Sequence, residues 1–154
     1  MELSSLLIPE AVKSIGGVTS KKRLLQTIGE LAADCYGLDA ESVFEALQDR
    51  ESIGPTGVGD GVALPHARLD DLDHVKGVFV KIERPLDFEA IDRQPVDLVF
   101  ALFAPADCGV AHLKALACVS RIMRNADTCA KLRANDKPET LFTILTELEK
   151  VKAA

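Results

Sequence analysis

The chain has 154 residues, 47% of them hydrophobic, and a formal net charge of −6. This length and apolar content predict a single domain over residues 1–154 that buries its core without cross-links. The negative charge argues against the phosphate backbone of a nucleic acid as a partner. The apolar runs are far shorter than the ~20 residues of a membrane span, and the N-terminus lacks a signal-peptide pattern. We therefore expect no membrane insertion and a cytoplasmic location.

The four cysteines predict reduced thiols rather than disulfides. Cys35, Cys108, Cys118 and Cys129 show no CxxC spacing, and three of them lie within helical apolar patterns. This usage is typical of a reducing compartment. Cys108 lies in a predicted loop just before His112, and we interpret it as a bystander thiol because a free cysteine more often packs than reacts.

The first third of the chain predicts one strand and two helices. A strand near residues 11–15 precedes an amphipathic helix that ends at Gly37. Asp39 then caps a second helix, which ends near residues 49–51. Arg50 is therefore expected to lie at the entrance to the glycine-rich segment that follows.

The middle of the chain predicts three strands, over residues 61–64, 78–82 and 98–104. The intervening segment 84–96 contains two prolines and is interpreted as a loop or short hairpin. The strand over 98–104 is continuously apolar, which is typical of a strand covered on both faces. We therefore expect an α/β fold in which helices lie on both faces of a sheet.

Three further helices are predicted in the last third of the chain. The apolar spacing indicates one helix over about 110–124 and another near 128–134. Pro138 is well suited to the first turn of a last helix. No internal repeat or linker separates these elements.

The segment Gly54 to Arg68, GPTGVGDGVALPHAR, is the most informative part of the sequence. Its glycines allow the backbone to approach a ligand closely, and Pro65 stiffens the chain just before His66. We expect His66 to lie at the end of a strand, on a rigid rim. A histidine in such a place can serve as a metal ligand or as a nucleophile and proton carrier.

Three other residues are expected to converge on His66. His112 opens a predicted helix, whose N-terminus suits an anion and disfavours charge on the imidazole. Arg50 offers a planar donor fork for phosphoryl oxygens, and Thr56 with the amides around Gly57 adds further donors. This set favours a phosphoryl-accepting His66 that Arg50 and His112 orient and neutralise.

Each residue also has an ordinary structural role. His66 could be a hydrogen-bonded surface histidine, Arg50 could complement a helix dipole, and His112 could cap a helix. His74 follows an acidic stretch and is interpreted as a solvated loop residue. The glycines lack the GxGxxG order and a following GK[ST], so nucleotide binding is not expected.

The run from Arg50 to His66 resembles the sequence signature of the mannitol/fructose-type enzyme IIA domains of the bacterial phosphotransferase system. Within that family the chain is most similar to the nitrogen-regulatory enzyme IIA. Runs over residues 20–23, 88–92 and 94–98 carry this closer similarity, and the stretch 104–116 also fits. The resemblance covers nearly the whole chain.

The resemblance implies a mixed sheet sandwiched by helices and a phosphoryl-carrier activity. It implies that His66 accepts a phosphoryl group at Nε2 from an HPr-like phosphocarrier, with His112 as the second active-site histidine. Arg50 and Thr56 are implied to assist, with no cofactor and no metal. A regulatory role is implied, with protein targets such as potassium transporters or sensor kinases.

Three other functions compete with this interpretation. The chain could be a sugar-specific, fructose- or mannitol-type transport component of the same system. It could instead be a metal-binding or hydrolytic protein that uses His66 and His112, although the sequence has neither HExxH nor a Cys/His cluster. It could also be an interaction module that is never phosphorylated.

Overall fold

The computed structural model describes residues 2–107 and 109–153, with side chains up to residue 147. Two short 3₁₀ turns, Leu3–Ser5 and Pro9–Ala11, come first. Within the described residues follow six strands and five α-helices: β1 (Val12–Ile15), α1 (Lys21–Tyr36), α2 (Ala40–Ile53), β2 (Gly57–Gly59), β3 (Val62–Ala63), β4 (His66–Leu69), β5 (Lys76–Leu86), β6 (Val96–Pro105), α3 (Gly109–Met123), α4 (Ala126–Arg133) and α5 (Pro138–Ala153).

The strands form one mixed sheet with the order β1-β5-β6-β3-β2, and β4 also pairs with β6. β5 and β6 are antiparallel, whereas β1 is parallel to β5 and both β3 and β4 are parallel to β6. The mixed sheet that the resemblance implies is therefore confirmed.

Helices cover both faces of this sheet. Successive residues of a strand point to opposite faces, yet residues 77–82 of β5 and 98–105 of β6 are all buried. α1 packs against β5, α5 against β1 and α3 against β6. The predicted α/β arrangement is confirmed, and the core lies along the two long central strands.

Helix caps set the position of α2, which carries Arg50. Gly37 ends α1 with a φ of +69°, and the carboxylate of Asp39 accepts a hydrogen bond from the backbone N–H of Ser42 at 3.0 Å. α1 and α2 then cross closely, because a Cβ at Gly29 would lie 2.6 Å from the carbonyl oxygen of Ala40. The predicted end of α1 at Gly37 and the predicted cap of α2 at Asp39 are confirmed.

A buried lysine ties the central strand to the end of α4. Lys81 of β5 is 5% exposed. Its Nζ donates to the carbonyl oxygens of Arg133 at 2.9 Å and Asn135 at 2.5 Å, and it pairs with Asp136 at 2.9 Å. A cation is favourable at a helix C-terminus, where carbonyl groups lack partners within the helix.

Two sequence predictions differ from the structure in this region. The segment 84–96 was expected to be a loop or hairpin, but β5 continues to Leu86, which pairs with Val96 after a register shift. The glycine-rich segment contains the short strand β2, and a further strand, β4, follows it. β2 and β4 carry too little periodicity to be predicted from the sequence, whereas the strands predicted near 11–15 and over 61–64 are present as β1 and β3.

Two of the described thiols donate hydrogen bonds to backbone carbonyls. Cys35 donates to Glu10 at 3.3 Å and Cys129 to Met123 at 3.1 Å. Cys108, interpreted above as a bystander thiol, lies outside the described residues. No helix in the described part of the chain is both long enough and apolar enough to cross a membrane.

Candidate functional site

His66 is the first residue of β4 rather than the last residue of the preceding strand. β3 and β4 pair with successive parts of β6, and Leu64 and Pro65 form the break between them. Proline has no N–H for a sheet, but the Pro65 carbonyl still accepts from the N–H of Leu102 at 2.9 Å. The expectation that His66 ends a strand is therefore wrong, and Pro65 lies directly before it in the break between the two strands.

The ring of His66 has a defined orientation. Its Nδ1 lies 2.9 Å from the carbonyl oxygen of Leu64. Because a carbonyl oxygen can only accept, the hydrogen-bond network assigns the proton to Nδ1. The other ring nitrogen, Nε2, then carries the lone pair and is the nucleophilic atom.

Arg50 contacts that nucleophilic atom from the last turn of α2. Its Nε–H donates to Nε2 of His66 at 3.3 Å, and its Nη1–H donates to the carbonyl oxygen of Gly54 at 2.9 Å. The guanidinium thus links the start of the glycine-rich segment to the imidazole. A fixed positive charge lies where a group bonded to Nε2 would be placed.

His112 faces His66 from the first turn of α3. The two ring centroids are 5.5 Å apart, with an interplanar angle of 68°. His112 is 7% exposed, and among the described residues its Nε2 has no hydrogen-bond partner. A buried polar atom without a partner is unusual in a folded protein and indicates a place that a ligand can satisfy.

Burial disfavours the charged form of His112. It lowers the pKa of His112 below its ordinary value of 6.5, and electrostatic interactions with His66 and Arg68 lower that pKa further. The sequence predicted a neutral imidazole here but attributed it to the helix N-terminus. The larger cause is desolvation.

Thr56 lies close to the site, but its hydroxyl points to a carboxylate. The side chain is buried, and both its Oγ1–H and its backbone N–H donate to Glu51, the latter at 3.2 Å. The carbonyl oxygen of Thr56 accepts from the N–H of Leu64 at 2.9 Å. Direct help from Thr56 to a phosphoryl group stays a prediction, because its hydroxyl is engaged elsewhere in this structure.

Glu51 is a site residue that the sequence reasoning did not assign. It follows Arg50 directly, and its side chain is 5% exposed. Besides Thr56 it binds Nζ of Lys21, from the first turn of α1, at 2.8 Å. A carboxylate at a helix end resembles an ordinary solvated residue, so only the pairing with a lysine thirty residues earlier could have revealed it.

Apolar side chains are exposed beside the two helix ends that form the site. Ile53 is 82% exposed and follows Arg50 within one helical turn. Val110 and Leu113 flank His112 in sequence and are 67% and 66% exposed. Exposed apolar side chains at the ends of both site helices are a feature expected where another protein docks.

The third histidine lies away from this cluster. The side chain of His74 is 76% exposed, near Asp73, which confirms it as a solvated loop residue. Within residues 2–107 and 109–153 no group of three or more His, Cys, Asp or Glu side chains is arranged to hold a metal ion. The metal-binding hypothesis gains no support from the described residues.

Comparison with known proteins assigns the chain to a family. A family model described as "Phosphoenolpyruvate-dependent sugar phosphotransferase system, EIIA 2" matches residues 6–148. The chain belongs to this EIIA 2 family. Membership confirms the resemblance drawn from the sequence and implies a phosphotransfer carrier role.

Several relatives in the EIIA 2 family share most of their length with this chain. It is 44% identical over 145 residues to a nitrogen regulatory protein of Bradyrhizobium diazoefficiens, covering 94% of this chain and 95% of the relative. It is 45% identical over 150 residues to the nitrogen regulatory protein of Escherichia coli K12, covering 97% and 92%. The crystal structure of nitrogen regulatory protein IIA-Ntr from Neisseria meningitidis superposes with a TM-score of 0.87 at 32% identity, covering 94% of this chain and 99% of that one. The closer similarity to the nitrogen-regulatory enzyme IIA is therefore also confirmed.

Proposed function

We propose that this chain is a phosphoryl-carrier regulatory protein of the nitrogen-related branch of the phosphotransferase system. On this proposal His66 accepts a phosphoryl group from the phosphohistidine of an HPr-like carrier, and the phosphorylation state controls protein partners. The observation that carries it is the environment of His66 Nε2, which holds a lone pair and lies 3.3 Å from Arg50 Nε. The ring of His112 lies 5.5 Å from the His66 ring between centroids, and its buried Nε2 has no hydrogen-bond partner among the described residues.

The transfer step balances with the groups present. The lone pair of His66 Nε2 attacks the phosphorus of the carrier's phosphohistidine, and the bond between that phosphorus and the carrier's nitrogen breaks. A carrier ring protonated on its other nitrogen leaves as neutral imidazole, while the His66 ring takes the positive charge. The Leu64 carbonyl, 2.9 Å from Nδ1, stabilises that charge throughout.

Arg50 and His112 act on the charge of the phosphoryl group. Once Nε2 is bonded to phosphorus it no longer accepts from Arg50, so the guanidinium N–H groups become available to phosphoryl oxygens. Burial lowers the pKa of His112 and so favours its neutral form, in which a proton on Nε2 would donate to another phosphoryl oxygen. The task of the site is positioning and charge neutralisation, as in other phosphoryl transfers.

The surface beside the site suits a protein donor. Ile53, Val110 and Leu113 provide exposed apolar area next to Arg50 and His112. The net charge of −6 favours a carrier with basic residues around its own histidine. The phosphoryl group of such a carrier comes from phosphoenolpyruvate through a series of protein transfers, so we expect the protein to act in the cytoplasm.

Incubation with phosphoenolpyruvate, enzyme I and an HPr-like carrier tests the proposal. We expect a stable label on wild-type protein, no label on His66→Ala, and full label on the control His74→Ala. Label retained in folded His66→Ala would show that another residue accepts the phosphoryl group. Failure to label the wild type would favour an unphosphorylated interaction module.

The second candidate is a sugar-transport component, because the description of the matching family names a sugar phosphotransferase system. Nitrogen regulatory relatives at 44% and 45% identity support the regulatory role over it. A transfer assay with fructose- or mannitol-type IIB domains distinguishes the two, since rapid transfer would favour transport. Binding of potassium transporters and sensor kinases to the phosphorylated and unphosphorylated forms would identify regulatory targets.

A further inference from the structure

A continuous chain of hydrogen bonds connects Lys21 to the imidazole of His66. Lys21 binds Glu51 at 2.8 Å, and Glu51 accepts from both the hydroxyl and the N–H of Thr56. Thr56 accepts from the N–H of Leu64 at 2.9 Å, and the Leu64 carbonyl accepts from Nδ1 of His66 at 2.9 Å. Each link joins a different element, from α1 through α2 and the glycine-rich segment to β4.

Glu51 is the link on which the others depend. Its side chain is 5% exposed, and a buried carboxylate requires partners to offset its lost hydration. It has three donors, one charged, and the two from Thr56 fix both the backbone and the side chain of that residue. Lys21 is itself held over the ring of Phe88, with Nζ 4.5 Å from the ring centroid.

By holding Thr56 in place, Glu51 also holds the backbone carbonyl of Leu64, which orients the ring of His66. Leu64 lies in the two-residue break between β3 and β4, where Leu64 itself has no partner residue in the sheet register. Its N–H is held instead by Thr56, and its carbonyl receives the Nδ1 proton. That carbonyl holds the proton on Nδ1, and the Arg50 Nε–H that donates to Nε2 at 3.3 Å favours the same form of the ring.

We propose that Glu51 is a positioning residue for His66, acting through Thr56 and Leu64 to hold the proton on Nδ1. The role in phosphoryl transfer rests on the function proposed above, whereas the effect on the ring does not. A ring with its proton on Nε2 has no lone pair there and cannot attack phosphorus. Glu51 therefore maintains the reactive form of the histidine without touching it.

The direct readout is the tautomer of His66, measured by long-range ¹H–¹⁵N NMR on protein labelled at histidine. At about pH 8.5, well above the ordinary histidine pKa of about 6.5, the neutral ring reports which nitrogen is protonated. We expect wild type and the control Glu45→Gln, an exposed residue of the same helix, to show the Nδ1–H form. Glu51→Gln should show a mixture with the Nε2–H form, and Thr56→Val should show the same mixture.

The second readout is the rate of phosphorylation by the HPr-like carrier. We expect Glu51→Gln to be about tenfold slower than wild type, equivalent to about 1.4 kcal/mol. Thr56→Ser retains the hydroxyl donor, so it should keep the wild-type tautomer where Thr56→Val does not. This contrast separates hydrogen bonding from general loosening of the segment.

Outcomes of the two readouts separate the two proposals. A folded Glu51→Gln or Thr56→Val that keeps a pure Nδ1–H ring overturns the role of Glu51, even if its thermal stability falls. If Glu51→Gln does not fold, Thr56→Val decides alone. A wild type that the carrier does not phosphorylate overturns the proposed function, while the tautomer measurement still decides the role of Glu51.

Discussion

Replacing Arg50 by lysine tests the geometry of the site while keeping its charge. The guanidinium of Arg50 bonds to two places at once, His66 Nε2 at 3.3 Å and the Gly54 carbonyl at 2.9 Å. A single ammonium group cannot form both bonds with the same directions, because lysine is a point charge without a planar fork. Arg50→Lys therefore loses at least one charge-assisted hydrogen bond in the transfer step.

The expected magnitude follows from that lost bond. A hydrogen bond to a charged group contributes about 1.5–3 kcal/mol, which corresponds to a decrease in rate of about 10- to 150-fold. Charge alone would predict almost no change, since lysine keeps the positive charge near the phosphoryl group. The substitution thus distinguishes directional bonding by Arg50 from general electrostatic attraction.

The assay follows transfer from purified, labelled phospho-carrier to Arg50→Lys under single-turnover conditions. Arg121→Lys is the matched control, because Arg121 is exposed in the last turn of α3, and it should keep the wild-type rate. Circular dichroism and urea denaturation establish that the variants fold. A folded Arg50→Lys with a rate within about twofold of wild type would refute the role assigned to the fork.

Three further predictions concern stability. Because the pKa of His112 is lowered on folding, the unfolded chain binds the proton first as the pH falls through 6.5, and the free energy of unfolding decreases there. His112→Gln should reduce this dependence of the free energy of unfolding on pH, measured by urea titrations at several pH values. An unchanged dependence on pH would contradict the prediction. Lys81→Met leaves the carbonyls of Arg133 and Asn135, at and just beyond the end of α4, without this donor. It should lower the free energy of unfolding by about 1–3 kcal/mol, measured by urea denaturation at neutral pH. Gly57→Ala places a Cβ 2.7 Å from that of Ala90 and should lower the free energy of unfolding by about 1–3 kcal/mol. The control Gly54→Ala, whose Cβ has nothing within 4 Å, should lower it much less. Equal melting temperatures for the two variants would exclude this steric effect.

Much of the fold could be predicted because its elements carry strong local patterns. α1 and α2 have clear caps at Ser20 and Asp39, and β6 is continuously apolar over most of its length. The short strands β2 and β4 could not be predicted, because their few residues carry little periodicity and β4 pairs with β6, which is distant in sequence. The error at His66 has this origin, because a strand interrupted at Pro65 resembles a strand that ends there.

The site residues also differ in whether the nearby sequence could predict them. Arg50 and His66 lie within one recognisable run, so their proximity could be expected from the sequence, and His112 could be placed by its helix start. The burial of Glu51 could not be predicted, because its charged partner Lys21 lies on a different helix. Likewise the cause of the lowered pKa of His112 is desolvation, a property of the assembled core that no local pattern contains.

A single atom connects the proposed chemistry to the proposed regulation. In the unphosphorylated chain Nε2 of His66 accepts from Arg50, which also holds the carbonyl of Gly54. A phosphoryl group on Nε2 removes that acceptor and replaces it with oxygens farther from the ring, so Arg50 must change its contacts. Ile53, which lies between Arg50 and Gly54 along the chain and is 82% exposed, belongs to the segment that Arg50 anchors. A partner that docks on this apolar surface would therefore contact a different charge in the phosphorylated and unphosphorylated forms. The end of α2 would also be anchored differently in the two forms, without any rearrangement of the buried sheet.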